Sequence, residues 1–394
     1  MTRIAVDAMG GDHAPQEIVR GAVDAARGLD SIDEIVLVGD EAAIRAEMSA
    51  YGVEGDVPKL RIVHTSEVIE MGEHPVHAVR SKPDSSINRG ISLVKAKEVD
   101  AFVSAGSTGA MVASSLLNLR RIWGVKRPAI GTVLPSLGKP YLLLDMGATV
   151  DCTPRELEQF AVMGSVYSRA ILGQESPSVG LLSIGTEEAK GDSLTKDAFE
   201  LLKANPNINF AGNVEGHDLF KGEMDVCVAD GFVGNVVLKT IESESRAITA
   251  MLRKAFTKNL KRKLGALMLK GAFRELKQVM DPEMYGGAPL LGVNGIVIIT
   301  HGSSSKKAIF HAIRVAGECV AADIIGSISG LMEQTKAAGH DSGPLAALSA
   351  LGRAAKDMGK RIVSGVHAQK TAPAEPAPET PPPEEGEAPE EQPV

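Results

Sequence analysis

Five short segments mix glycine with small polar residues in a way that could hold an anion. They are MGGDHAP (9–15), SAGSTGA (104–110), SIGTEEAKGD (183–192), ADGFVGN (229–235) and THGSSSKK (300–307). Each follows an apolar run and precedes a helical pattern, so each reads as a turn from strand to helix. A helix N-terminus offers unpaired backbone N–H groups and the positive end of a dipole, which suits a phosphate or a developing oxyanion. Gly10, Gly11, Asp12 and His13 in the first turn, and Gly106, Ser107, Thr108 and Gly109 in the second, are the candidates for that task. One such turn would carry little weight, because tight turns use glycine for conformational reasons alone. Five carry more.

Side chains near these turns extend the possibilities. Lys190 and Lys196 could neutralise a bound anion, although a solvated surface is the commoner place for a lysine. Asn235 could donate an amide hydrogen to a carbonyl or phosphate oxygen, or simply cap a helix. His13 and His301 could bind phosphate or move a proton. The remaining seven histidines sit in no such context. No spacing of Asp, Glu and His compels a metal site, and no cofactor is implied. Cys152, Cys227 and Cys319 are far apart and form no CxxC pair, so neither disulfides nor structural zinc is expected.

The elements that must position these residues are legible from apolar runs. RIAVDA (3–8), EIVLVG (34–39), LRIVH (60–64), DAFVSAG (100–106), PYLLLDMG (140–147), VGLLSIG (179–185), INFAGN (208–213), DVCVAD (225–230) and GIVIITHG (295–302) have the length and composition of buried strands. Their alternation with helical patterns predicts an α/β fold, a mostly parallel sheet with helices on both faces. In such a sheet the glycine turns are expected to line one carboxyl edge, where ligands bind. Aromatics are only 4% against 44% hydrophobic residues, so aliphatic packing must build the core. Neither GxGxxG nor GxxxxGK[ST] occurs, which argues against dehydrogenase and ATPase sites. GxSxG and HExxH are absent as well.

Charge is unevenly distributed. The formal net charge is -8, but the last 24 residues hold seven Glu and eight Pro with no base, so without them it is -1. That tail cannot bury enough apolar surface to order itself and is expected to be a disordered extension over 368–394. A helical extension is expected over 336–367, behind a single α/β domain of two lobes over 1–335. Between Arg246 and Lys277 stand ten Lys or Arg and one acid. Ile248, Leu252, Phe256, Leu260 and Leu264 recur every four residues there, beside Lys254, Lys261, Arg262 and Lys263. The segment 246–280 therefore reads as a protruding amphipathic helical pair, broken at Gly265 or Gly271. It could face the core, an acidic protein or an anionic membrane surface. Nucleic acid is disfavoured, since only Phe256 and Phe273 could stack on bases. No apolar run reaches the ~18 residues of a spanning helix and no signal pattern opens the chain, so the protein is expected to be cytoplasmic.

Taken together, VDAMGGDHAP (6–15), SKPDSSI (81–87), SAGSTGA, RPAI (127–130), LLLDMGA (142–148), MGSVYS (163–168), GTEEAKG (185–191), GNVEGHD (212–218), DGFVGNVVLKT (230–240) and YGGAPLLG (285–292) resemble one family. It is the acyl-acyl-carrier-protein:phosphate acyltransferase family of bacterial phospholipid synthesis, and the blocks keep its order from about residue 3 to about residue 330. The resemblance implies a homodimeric three-layer α/β/α sandwich similar to phosphotransacetylases and isocitrate-dehydrogenase-type enzymes. It implies attack of inorganic phosphate on the thioester of an acidic acyl carrier protein, giving acyl phosphate for a membrane-bound glycerol-3-phosphate acyltransferase. On this footing Lys190 and Asn235 become the expected catalytic residues, and the basic stretch the expected peripheral contact with membrane or carrier. Ser107, Thr149, Ser183 and His217 stand where the family commonly has Asn, Asn, Asn and Arg.

Overall fold

The computed structural model describes residues 1–337 apart from 56, 273 and 275–281. All nine apolar runs form strands: β1 (Arg3–Asp7), β2 (Glu34–Gly39), β3 (Leu60–His64), β4 (Ala101–Ser104), β6 (Tyr141–Leu144), β7 (Ser178–Leu182), β8 (Asn209–Val214), β9 (Val226–Val228) and β11 (Ile296–Ile299). Two further strands, β5 (Ala129–Leu134) and β10 (Ala288–Leu291), lie in segments that carry no such run. Together they form one sheet of order β3-β2-β1-β4-β11-β10-β5-β6-β9-β7-β8.

Most pairings are parallel, as the alternation of strands and helices predicts. The two added strands change the geometry. β10 is antiparallel to both β11 and β5, and β5 is antiparallel to β6. The parallel strands on either side of this centre consequently run in opposite directions. Turns after β1, β4 and β11 line one edge of the sheet, and turns after β6, β7 and β9 line the other. The expectation of a single glycine-lined edge is thus corrected to two.

Helices cover both faces. Side chains alternate across the sheet: Ile4 and Val6 face a core built with α1 (Gln16–Gly28), α2 (Glu41–Ala50), α6 (Pro154–Leu172), α7 (Ser193–Ala204), α10 (Lys306–Ala321) and α11 (Ile324–Ala337). Ala5, Val36 and Val38 face the opposite core, closed by α3 (Pro75–Ser81), α4 (Ser86–Lys95), α5 (Thr108–Asn118) and the first turns of α8 (Gly231–Thr257). This is a three-layer sandwich. α6 is fixed at its start by a capping box in which Thr153 N donates to Glu156 Oε2 at 2.7 Å.

The basic amphipathic segment belongs to α8 and the short α9 (Leu260–Met268). The chain turns at Lys258–Asn259, where the Asn259 side chain caps α9 through the N–H of Arg262. A second turn falls at Leu269, and Gly265 sits inside α9, so the break is set by an asparagine cap rather than by that glycine. No described helix is by itself long and apolar enough to cross a membrane. The bent pair α10 and α11 passes on length and composition, but α10 is a core helix with Ile309, Ala312, Ile313 and Ala316 buried. Apart from positions 336 and 337, which end α11, the expected extension 336–367 and the tail 368–394 lie outside the described residues.

Candidate functional site

The first edge gathers three of the glycine turns. Asp7 ends β1 fully buried; its carboxylate accepts from Ser104 Oγ at 2.6 Å and from the Met9 N–H at 3.1 Å. Burial pushes this carboxyl up, while the hydrogen bonds from Ser104, Ser86 and the backbone of Met9 and Gly10 pull it down. Ser104 Oγ in turn accepts the Gly106 N–H at 2.9 Å. A side chain at Gly10 would strike Asp7 Oδ2, and the Asp12 N–H reaches Gly302 O at 2.7 Å. Turns 9–15, 104–110 and 300–305 are therefore one packed unit.

The packing occupies one of the expected groups and leaves others open. The Gly106 N–H is already committed to Ser104, so it is not free to hold a ligand. Ser107 caps α5, which leaves the first-turn N–H groups of Thr108 and Gly109 without intrahelical acceptors. Asp12 and His13 are exposed beside them. His301 is also exposed, and its Nδ1 lies 2.8 Å from Ser303 Oγ and accepts the Ser303 N–H at 3.2 Å.

The second edge holds Lys190, Lys196 and Asn235. Its anchor is a residue that the sequence motifs did not single out, Asp145 at the end of β6. Its Oδ1 accepts the N–H groups of Ile130 at 2.7 Å and Ala148 at 3.2 Å, and its Oδ2 accepts that of Thr149 at 2.8 Å. Burial pushes this carboxyl up to about 6 against the pull of those N–H groups. Thr149 Oγ1 donates to Pro128 O at 3.1 Å, and Thr149 O accepts from the Gly231 N–H at 2.9 Å. The turn after β6 is thereby clamped from three sides.

Helix α8 starts hard against this turn. Asp230 caps it by accepting from Phe232 and Val233, both at 2.9 Å. A Cβ at Gly234 would overlap the Asp145 carbonyl oxygen, so only glycine lets the two backbones approach so closely. One residue later, the exposed Asn235 side chain lies beside Gly147, about 3.8 Å from where a Cβ there would stand. Gly147 has φ +120°, a conformation that favours glycine.

β7 lies next to β9 and runs the same way, so its turn 183–192 neighbours the start of α8 on this edge. Asn213 Nδ2 holds the turn by donating to Glu187 O at 2.9 Å. Lys190 is exposed on it, and Lys196 is exposed one turn into α7. Among the described residues neither lysine makes an ion pair. Ser183 Oγ and Asn213 Oδ1 are buried here without a hydrogen-bond partner among the described residues, which is uncommon for buried polar atoms. In the sequence Ser183 is marked only as a departure from the family's usual Asn, and Asn213 not at all, though both residues lie in its apolar runs or glycine turns.

The structure thus brings Lys190, Lys196 and Asn235 to one edge, and Gly10, Gly11, Asp12, His13, Gly106, Ser107, Thr108, Gly109 and His301 to the other. No hydrogen bond or ion pair among the described residues joins the two sets. The thiols offer no nucleophile: burial pushes Cys152 and Cys227 up to about 12 and Cys319 higher still. Among the described residues no group of three or more His, Cys, Asp or Glu is placed to hold a metal ion.

Beyond residue 245 the pair α8 and α9 buries none of its described side chains. Leu252 is 41% exposed, Leu260 74% and Leu264 57%, with Lys254, Lys261, Arg262 and Lys263 exposed among them and Phe256 half-buried. In this chain the stripe therefore does not face the core.

Comparison with known proteins places this geometry. A family model described as "Fatty acid synthesis protein" matches residues 2–326. A phosphate acyltransferase of Desulfitobacterium hafniense is 54% identical over 329 residues, covering 83% of this chain and 96% of its own length. One of Halothermothrix orenii is 50% identical over 327 residues, covering 83% and 97%. Among solved structures, a phosphotransacetylase from Streptococcus pyogenes superposes with a TM-score of 0.55 at 19% identity, covering 81% of this chain and 94% of its own. The EutD phosphotransacetylase from Staphylococcus aureus gives 0.53 at 16%, with the same coverage. At these identities the two structures speak for the fold alone.

Proposed function

This chain belongs to the family described as "Fatty acid synthesis protein", that of the phosphate acyltransferases, and we propose that its reaction is transfer of a long-chain acyl group from acyl carrier protein to inorganic phosphate. The product, acyl phosphate, would feed phospholipid synthesis through a membrane-bound glycerol-3-phosphate acyltransferase. The observation that carries the reading is the second edge: the N-terminus of α8, pressed onto the Asp145-anchored turn, stands beside a turn bearing an unpaired, exposed lysine.

Phosphate is already an anionic nucleophile near neutral pH, so the enzyme has no need to make one. Its tasks are positioning and charge compensation. A phosphate oxygen attacks the thioester carbon, the carbon–oxygen bond forms, the carbon–sulfur bond breaks, and the carrier thiol leaves with the proton that hydrogen phosphate gives up. Lys190 offsets the charge of phosphate and departing thiolate, with Lys196 as the alternative cation. Asn235 donates to the carbonyl oxygen as it becomes anionic. The glycine turns of the first edge hold the other end of the reacting pair. Sheet twist makes this possible: at about 20–25° per neighbouring pair, the six steps from β4 to β7 rotate the strands by roughly 130°. On this reading, edges of opposite sense must be turned in this way toward a shared cleft.

The exposed stripe on α8 and α9 supports a peripheral membrane role, with Leu252, Phe256, Leu260 and Leu264 entering an anionic surface and Lys254, Lys261, Arg262 and Lys263 meeting its headgroups. A homodimer of a cytoplasmic α/β domain over 1–335, carrying the extension 336–367 and the tail 368–394, completes the proposal. The test is direct. Purified protein incubated with acyl carrier protein thioester should release free thiol only when phosphate is present; release that ignores phosphate would sink the reading.

A further inference from the structure

We propose that the acidic acyl carrier protein docks on a second basic surface, the loop 120–127 between α5 and β5, rather than on the basic helical pair. The inference rests on the acyl-transfer reading above and assigns its protein substrate a place.

From 101 to 144 the chain has no Asp or Glu, yet carries Arg120, Arg121, Lys126, Arg127 and Lys139. The first four fall within eight residues and all are exposed. Arg121, Lys126 and Arg127 line an open cavity of about 510 Å³ with Leu116, Pro128 and Glu156. Glu156, the acid in that wall, is buried and occupied. It accepts the Thr153 N–H and lies 3.8 Å from Arg127 Nε, so the mouth keeps a net positive charge. Leu117 and Trp123, 47% and 57% exposed, stand among the cations and offer an apolar centre. Cations around a small apolar patch complement an acidic protein surface, and such complementarity steers encounter and fixes register.

The loop is built to present these charges. Ile122 and Val125 are buried beneath it. Asn294 holds its backbone twice, donating Nδ2 to Arg121 O at 2.7 Å and its N–H to Arg120 O at 3.0 Å. Gln159 holds it again, accepting from the Lys126 N–H and donating to Gly124 O, both at 2.9 Å. Arg120 adopts φ +64°, a left-handed conformation uncommon outside glycine, directly after the C-cap of α5.

Position favours the carrier over other acidic proteins. The residue after Arg127 is Pro128, whose carbonyl accepts from Thr149, and Ile130 donates to Asp145. A protein seated on the loop therefore sits beside the turn that faces Asn235, where a thioester on a flexible arm can reach. The helical pair suits lipid better: its apolar stripe is long and protruding, with Leu260, Leu264, Leu267 and Met268 all more than half exposed.

The experiment measures binding of holo acyl carrier protein to the full chain by fluorescence anisotropy, alongside turnover of its thioester. Arg120 and Lys126 make no ion pair among the described residues, so Arg120→Glu with Lys126→Glu should leave the melting temperature in place. The carrier Kd should rise at least tenfold and the thioester KM with it, while kcat at saturation stays within twofold. Lys261→Glu with Lys263→Glu should leave the carrier Kd within twofold. If the charge reversal disturbs folding, Arg120→Gln with Lys126→Gln should still weaken binding about threefold. A loop variant that binds like the parent, or a loss that appears only in the helical variant, overturns the proposal. Thiol release by the parent that ignores phosphate would instead overturn the acyl-transfer reading, and the binding comparison distinguishes the two failures.

Discussion

Asp145 allows the most quantitative test of the site's construction. Its carboxylate accepts three backbone N–H groups, from Ile130, Ala148 and Thr149, in a fully buried position, and burial raises it from 3.8 to about 6. Asp145→Asn keeps the shape and removes the titration. The native state binds the extra proton more readily than the unfolded chain does between those two values, so this group's contribution to stability is fully present below about 4 and is lost as pH rises through about 6. A shift of about two units at 1.36 kcal/mol each gives an effect on the order of 3 kcal/mol. Urea unfolding of both proteins from pH 4 to 8 isolates it, because every other group titrates alike in the two. The wild type should gain on the variant by about that amount as pH falls from 7 to 4. At the same time the amide sets a donor against the Thr149 N–H, at a cost of about 1–3 kcal/mol that does not vary with pH. A stability difference that stays flat across the range would refute the burial of charge, and one that is also near zero would refute the anchoring role.

Lys190→Met should lower kcat for phosphate-dependent thiol release by roughly 10²–10³-fold, the usual cost of removing one charge-stabilising donor, with Lys196→Met costing far less; the reverse order would move the role to Lys196. Leu260→Asp with Leu264→Asp should abolish cosedimentation with anionic vesicles while leaving turnover of the soluble carrier thioester in place. Persistent vesicle binding would remove α9 from the membrane contact. Gly234→Ala forces a Cβ onto the Asp145 carbonyl oxygen, so it should destabilise by at least the ~1–3 kcal/mol of ordinary overpacking and lower the melting temperature. An unchanged melting temperature would show that α8 is not pressed against that turn.

Strands were legible where β-branched, leucine and other apolar residues cluster in a short run, and two short segments with proline or glycine among or beside them were missed. β5 follows Pro128 directly and contains Gly131, while β10 has four residues, one of them Pro289. These two are the strands that reverse the sheet's direction, so missing them also misplaced the turns, which fall on two edges instead of one. Candidate residues on the turns were legible because glycine and small polar residues cluster there. Asp145 was not, because an aspartate closing LLLD reads as the solvated end of a strand. Its signal lay in the comparison with Asp7: in both VDAMG and LLDMG a charge ends a buried strand just before a glycine turn, and in both the carboxylate turns inward to hold that turn's backbone N–H groups.

The basic stretch was legible as amphipathic, but not its continuity with the site. α8 runs unbroken for 27 residues, about 40 Å, from the Asp230 cap beside Asn235 to the exposed Leu252 and the half-buried Phe256. Only its first turns are anchored, through Gly231 and Gly234 against the 145–149 turn and through Val237, Leu238 and Ile241 against the core. A long-chain acyl phosphate is charged at one end and apolar along its length, so free passage through water would expose what a membrane would bury. On the proposed function, one helix would have its foot at the reaction site and its far end at the lipid surface, which would shorten that passage. Sequence periodicity reports which face of a helix is apolar, whereas the connection between the two ends depends on an uninterrupted backbone, which only the fold displays.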